Sequence, residues 1–455
     1  NPHLWAILWM NYTPVISDPL APGSSKQPRA IAPKQAAPGR DAYTRPHAPG
    51  ACTPDPQHGL TPAASGPMLK RDPPTRPRRA RGGAMIRGRA EYEYVLQAMG
   101  ICLSCRIPAL LWGDPGQGKT AVVESARASG WHVETLIISH YEPSDFVGLP
   151  MLIDGKVELA PPAWAVRLRD HDGPAIAFFD EFSTASPALQ AAALRPLTHY
   201  QVGSLQLPRT VSFLAAANPA DVAAAGWELA APTASRFVHL DWELPLEVFA
   251  ESLVTGVWPA MPVYELPTDY AEHLGRQRVL VSGFLRARSA LLTSIPSTAL
   301  DRGKAFPNPR AWDYAARLLA LAAAVDAPKA VSRLLVAGCI GDAAANEFLA
   351  WASALDLPDT DAVLADPRAG WFADQRPDRV YVTLQGVVAR AAADPAHWAA
   401  AIDACCAAAS ENAVDPAVPA IRGLLRIRPA DATLPPDIMV FAPVLSLAGL
   451  LPDRP

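Results

Sequence analysis

Cysteine is scarce in this chain. Six in 455 residues, without regular spacing, exclude a disulfide framework and fit a reducing interior. The one Cys-x-x-Cys, Cys102 to Cys105, has no second pair and no His-x-His nearby, which predicts two packed thiols on a helix rather than a metal site. Long apolar runs are missing too. Leu4–Met10 is too short to span a bilayer, has no basic residue ahead of it and lacks a clear small-residue cleavage site, so it does not read as a signal peptide. Ile438–Leu451, the best later candidate for a span, is short and contains Pro443. A soluble, cytoplasmic protein without a membrane span is expected. Basic charge is lacking over most of the chain as well. Residues 1–84 hold eleven Lys and Arg against four Asp, so the net charge of −4 leaves residues 85–455 at −11. A domain that holds nucleic acid usually carries a basic face, and nucleic acid is therefore not the expected partner.

A length of 455 residues predicts about two to four domains. Residues 1–84 hold sixteen of the 48 prolines and almost no periodic apolar pattern, so this segment is expected to be a disordered basic tail. Its cationic cluster, Lys70 to Arg81, reads first as a solvated linker run, with nucleic acid or an acidic lipid surface as the alternative. The chain opens on Asn1, and Met85 stands just before the first helical pattern, so residues 1–84 are read either as a native tail or as upstream sequence read in frame.

What the chain does contain is a phosphate-binding pattern. Gly113, Asp114, Pro115, Gly116, Gln117, Gly118, Lys119 and Thr120 fit G-x-x-x-x-G-K-[ST] at every fixed position. The glycines let backbone N–H groups close around phosphate oxygens, Lys119 can reach the β and γ phosphates of ATP, and the Thr120 hydroxyl can hold Mg²⁺. The flanks agree: an apolar strand over Pro108–Trp112 precedes the loop and a helix over Ala121–Ser129, closed by Gly130, follows it. A helix over Glu91–Ile107 leads in, a second strand covers Trp131–Ile138, and Asp154-Gly155 between short apolar runs predicts an exposed hairpin over Met151–Leu159.

Some sixty residues on, Ala175–Phe179 runs into Asp180 and Glu181, a Walker B pattern. A buried strand would deliver Asp180 to Mg²⁺ and leave Glu181 to polarise an attacking water; the alternative is two acids capping the next helix. Ser186-Pro187 opens a helix through Leu194, with Pro196 interrupting it, and Tyr200–Leu207 reads as a second hairpin. A strand over Val211–Ala217 ends on Asn218, which is either a turn residue or a contact to the γ-phosphate or the water. Arg236 precedes a fifth strand, Phe237–Leu240; taken alone it is any surface arginine. Arg310 follows Asn308-Pro309 at the start of a helix over Ala311–Ala323, where a cation opposes the helix dipole and wants an anion, either a phosphate or a nearby carboxylate. Beyond about residue 243 the chain turns Ala- and Leu-rich, with helices over Pro328–Ile340, Ala343–Leu355, Val380–Ala393 and Ala396–Ala409. His397, Cys405 and Cys406 are expected to be core residues there.

Taken together, GDPGQGKT, EPSDFVGLP with its hairpin, FFDEF, YQVGSLQLP, AAANP, AAPTASRF and NPRAW resemble the AAA+ ATPases, and within them the MoxR-like, dynein-related branch, over residues 86 to about 325. The resemblance implies Asn218 as the first sensor, Arg236 as an arginine finger acting on a neighbouring subunit's ATP, and Arg310 as the second sensor. The hairpins correspond to the helix-two and pre-sensor insertions of that branch. Ser235 departs from the pattern, since an Asn commonly precedes the finger. The expected fold is a three-layer α/β P-loop core with a mostly parallel five-stranded sheet over residues 85–242, a helical lid over 243–350 and an all-helical C-terminal extension over 351–455. The implied function is Mg²⁺-dependent ATP hydrolysis by a homo-hexameric ring that remodels a partner protein, one bearing a von Willebrand factor A or metallopeptidase-like domain. The alternatives are a McrB-like nucleic-acid translocase and a non-hydrolysing, nucleotide-gated scaffold.

Overall fold

A computed structural model of the chain describes residues 88–219 and 226–447. The expectations for residues 1–84 lie outside these described residues. Nine strands are present among them: β1 (Ala109–Trp112), β2 (His132–Ile137), β3 (Leu149–Ile153), β4 (Lys156–Ala160), β5 (Ala175–Asp180), β6 (Gln201–Val202), β7 (Leu205–Gln206), β8 (Val211–Ala217) and β9 (Val238–Asp241). Five of them form a sheet in the order β2-β5-β8-β1-β9, with every pairing parallel. Helix α1 (Arg89–Ser104) leads into β1; parallel strands need crossovers, and the connections carry α2 (Lys119–Glu124), α3 (Pro143–Val147), α4 (Ala163–Asp170), α5 (Pro187–His199) and α6 (Ala231–Ala234). After β9 the structure is helical: α7 (Leu246–Thr255), α8 (Tyr270–Ala287), α9 (Ala299–Arg302), α10 (Pro309–Ala324), α11 (Lys329–Ile340), α12 (Asp342–Ser353), α13 (Thr360–Ala365), α14 (Pro377–Ala393), α15 (Trp398–Ser410), α16 (Val414–Arg426) and α17 (Ala442–Leu447).

The sheet is covered on both faces because alternate residues of each strand feed separate cores. Leu111, Ile176, Phe178, Leu214 and Ala216 pack with α1 and with the helices from α8 to α12. Leu110, Ala177, Phe179, Phe213 and Ala215 face the opposite way and pack with α3, α4 and α5. The three-layer α/β fold expected from the sequence is thus present. Helices α13 to α16 build a further core of their own around Val380, Leu384, Trp398, Cys405 and Ile421. Helix α14 also leans on α8, where Tyr381 and Ser282 hydroxyls lie 2.8 Å apart.

Several local expectations change. Helix α5 does not stop at Pro196 but runs on to His199. Proline forfeits one backbone hydrogen bond there, yet Leu189, Ala193 and Leu197 stay on one buried stripe, and that burial outweighs the lost bond. The helix after the P-loop is α-helical only to Glu124 and then tightens to a 3₁₀ turn, Ser125–Ser129, that closes on left-handed Gly130. Cys102, Cys105, Cys405 and Cys406 are buried as free thiols, as expected. His397 is not a core residue: it sits in a 3₁₀ turn ahead of α15, partly exposed, 3.3 Å from Asp394. No helix among the described residues is long and apolar enough to cross a membrane.

Strands β3 and β4 form the first hairpin through Asp154 and Gly155, both at positive φ as the primed turn requires. Its apolar side chains Leu149, Met151, Leu152 and Val157 are exposed. The second hairpin, β6–β7, braces the base of the first: the Ser204 hydroxyl donates to the Leu159 carbonyl at 2.9 Å.

Helix α11 crosses β9 at Gly338, where a Cβ would stand 2.6 Å from the His239 carbonyl oxygen and 2.7 Å from a Val238 methyl. Such contact distances leave no room for a side chain. Gly338→Val is expected to destabilise the fold by about 1–3 kcal/mol through overpacking, read as a lowered thermal midpoint. An unchanged midpoint would mean that α11 does not sit this close.

Candidate functional site

The P-loop leaves β1 at Trp112 and enters α2 at Lys119. Gly116 and Gly118 have φ of 78° and 72°, and a Cβ at either would meet nothing within 4 Å, so the loop faces open space there. No acceptor among the described residues takes the N–H groups of Gly116, Gln117 or Gly118. Unbonded loop donors beside an open face fit a polyphosphate. Lys119 is buried, and its Nζ donates to the carbonyls of Gly113 (2.8 Å) and Asp114 (2.9 Å) and to Asn218 Oδ1 (2.9 Å). Burial lowers its pKa, against the pull of the Asp180 and Asp114 carboxylates.

The Walker B strand β5 ends beside this loop. Thr120 Oγ1 donates to Asp180 Oδ2 at 2.5 Å, and Asp180 Oδ1 accepts the Glu181 N–H at 2.8 Å. A hydroxyl and a carboxylate side by side are the hard oxygen ligands that Mg²⁺ takes. Glu181 has a left-handed backbone, φ 55°, costly for a non-glycine residue, and this turns its side chain away from Asp180. Its Oε2 accepts instead from the Ser139 hydroxyl at 2.7 Å. The adjacent carboxylates therefore have different partners, as two different roles demand. Asn218 is held by the Ser183 hydroxyl, which accepts its N–H at 3.0 Å, so the amide is fixed on Lys119 and is no mere turn residue.

Arg236 and Arg310 form a second group. The Arg310 guanidinium donates to Ser235 Oγ at 3.3 Å, and Arg236 folds back on the Pro232 carbonyl. Neither of these bonds goes to the chain's own P-loop. Arg236 Nε is buried without a partner. Burial lowers the Arg236 pKa and the neighbouring Arg310 charge lowers it further. Arg236 thus has an unused donor beside a second cation.

Residues 108–237 match the AAA domain of the dynein-related subfamily. Such a domain is in general a nucleotide-hydrolysing P-loop fold, typically with Mg²⁺. No curated protein matches the chain. Among solved structures, a "putative ATPase" from Cytophaga hutchinsonii ATCC 33406 is 16% identical, with a TM-score of 0.37 over 55% of this chain and 81% of that one. A full-length MCM homolog from Methanopyrus kandleri is 18% identical, with a TM-score of 0.27 over 55% of each chain.

Four residues of the AAA domain and its border escaped the sequence reading. Ser139 lies just past β2, and only the strand order shows that β2 neighbours β5. Ser183 anchors Asn218. Trp242 follows β9 and its Nε1 donates to the Gln117 carbonyl at 2.8 Å, clasping the P-loop from the side. His239 on β9 bonds across to Trp112, at 2.9 Å. None stands in a recognisable spacing; each is a position at or near a strand end.

Lys119→Ala removes the one cation inside the loop. The variant is expected to fold and to lose nucleotide binding, measured by calorimetry, because the β and γ phosphates would meet no compensating charge. Unchanged affinity would exclude the loop as the phosphate site.

Proposed function

We propose that the protein is an ATPase of the MoxR-like kind that works as a ring and remodels a partner protein. The observation that carries this is the division of labour at the end of β5: Asp180 on Thr120, Glu181 on Ser139. Thr120 and Asp180 would hold Mg²⁺, which when bound neutralises phosphate charge. Lys119 and the free loop N–H groups bind the polyphosphate. Asn218 is bonded to Lys119 in the loop and Glu181 follows Asp180 at the end of β5, so Glu181 can take a proton from water while the amide orients the reacting end. A nucleotide-gated scaffold would need no such second acid.

The ring is supported by Arg236 and Arg310, which bond beside α6 and want an anion that this chain's own hydrogen bonds do not supply. A phosphate bound to a second copy is the reading that fits, with Arg236 as the finger and Arg310 beside it. A protein client is supported by the exposed apolar hairpin β3–β4 and by the net −11 of residues 85–455, which disfavours nucleic acid.

Glu181→Gln is expected to bind ATP normally and to lose turnover by about a hundredfold or more, since an amide does not accept the proton. Phosphate release measures it; ordinary turnover would refute hydrolysis through Glu181. Arg236→Ala should bind ATP and lose about a thousandfold in kcat, and mixing it with Lys119→Ala subunits should restore activity, because each supplies the half that the other lacks. Mixed rings verified by native mass spectrometry that stay inactive would exclude a finger donated one-to-one in trans.

A further inference from the structure

Helix α6, which ends two residues before Arg236, has four residues. A helix this short has no stability of its own, so what aims Arg236 must be tertiary. One side chain reaches it from the sheet. His239 Nε2 lies 2.9 Å from the carbonyl oxygen of Ala234, the last residue of α6. On its other side, His239 Nδ1 accepts from Trp112 Nε1 at 2.9 Å, and the two rings stack with planes 12° apart. Trp112 is the last residue of β1, directly before the P-loop. One imidazole therefore joins the strand that leads into this chain's phosphate loop to the short helix just ahead of Arg236.

The tautomer follows from the partners. An indole N–H only donates, so Nδ1 must be the unprotonated nitrogen, and the proton sits on Nε2, which donates to Ala234. Burial holds the pKa down to about 4, outweighing the Ala234 carbonyl, which favours the charged ring, with Lys304 pressing the same way as burial. The ring is thus neutral near pH 7 and keeps one donor and one acceptor. A charged ring would have two donors and would lose Trp112.

We propose that His239 is a positioning residue: through Ala234 it fixes the end of α6, and with it the following Arg236, against β9 beside the P-loop strand, so that the pose of Arg236 offered to a neighbouring site is set by this chain's own sheet. The inference rests on the ATPase reading above and assigns to it a residue that touches neither nucleotide nor metal. Helix α11 presses on the His239 backbone at Gly338, so the lid bears on the same strand.

The amide isosteres separate the two bonds. In His239→Gln the amide nitrogen reaches the Nε2 position and keeps the bond to Ala234. In His239→Asn the amide reaches only the Nδ1 position, keeping Trp112 and losing Ala234. His239→Asn is expected to fold and bind ATP with unchanged affinity while kcat falls about tenfold to a hundredfold, the effect of a misaligned group. His239→Gln should stay within about threefold of the wild type. The loss in His239→Asn should be recovered by mixing with Lys119→Ala subunits, which lend a sound finger, and not by mixing with Arg236→Ala subunits. Recovery with Arg236→Ala alone would place the defect at the P-loop and overturn the proposal, as would full activity of His239→Asn. If His239→Asn does not fold, a Gln variant as inactive as Arg236→Ala overturns it equally. A wild-type protein without ATP turnover, or an Arg236→Ala variant with normal turnover, would instead refute the ATPase reading, and this inference with it.

Discussion

The site depends on one buried ammonium. Lys119 Nζ has three oxygen partners, two from the loop that precedes it and one from the end of another strand. A lysine out of water must be paired, and here the partners come from β1 and β8 at once. The pairing therefore couples the conformation of the P-loop to the relative position of two strands. Because all five strands of the sheet are parallel, their carboxyl ends lie on one edge, and the order β2-β5-β8-β1 sets Ser139, Asp180 with Glu181, Asn218 and the loop side by side. Ser139 bonds Glu181, while Asp180 takes Thr120 and Asn218 takes Lys119, through hydrogen bonds of 2.5 to 2.9 Å.

The same sheet has a second functional margin at β9. Trp242 beyond its end holds the outside of the P-loop, His239 within it spans from Trp112 to α6, and Gly338 lets α11 lie against its backbone. Arg236 stands just past α6 and Arg310 near the start of α10, with Ser235 bonded to Arg310. That serine is too short to bond far away, and its hydroxyl serves Arg310 and the Pro232 carbonyl instead. The chain thus carries two chemically unlike groups, one with a lysine, carboxylates and the loop N–H groups, the other with two arginines.

The C-terminal helices stand apart from this chemistry. Residues 360–441 bury their own apolar cluster, and their link to the preceding helices runs through α14 and α8, where Gly283 admits Val382 and Trp351 at close range. No group of His, Cys, Asp and Glu among the described residues is placed to hold a metal ion.

Some of this was legible in residue order because the underlying physics is local. The P-loop is a contiguous eight-residue pattern, a strand that ends on paired acids writes them next to each other, and Asp154-Gly155 sets a turn by its own backbone preferences. The strands' alternation was less telling, since with both faces buried they read as plain apolar runs. What the sequence could not state was adjacency. Ser139 touches Glu181 only because β2 is laid beside β5, and His239 meets Trp112 only because β9 closes the other edge. Pro196 misled for the same reason: a local rule says that proline breaks a helix, while burial of its neighbours against the sheet keeps α5 whole. The motifs were determined by short-range chemistry; their partners were decided by strand order, a long-range outcome of packing that no window of sequence contains.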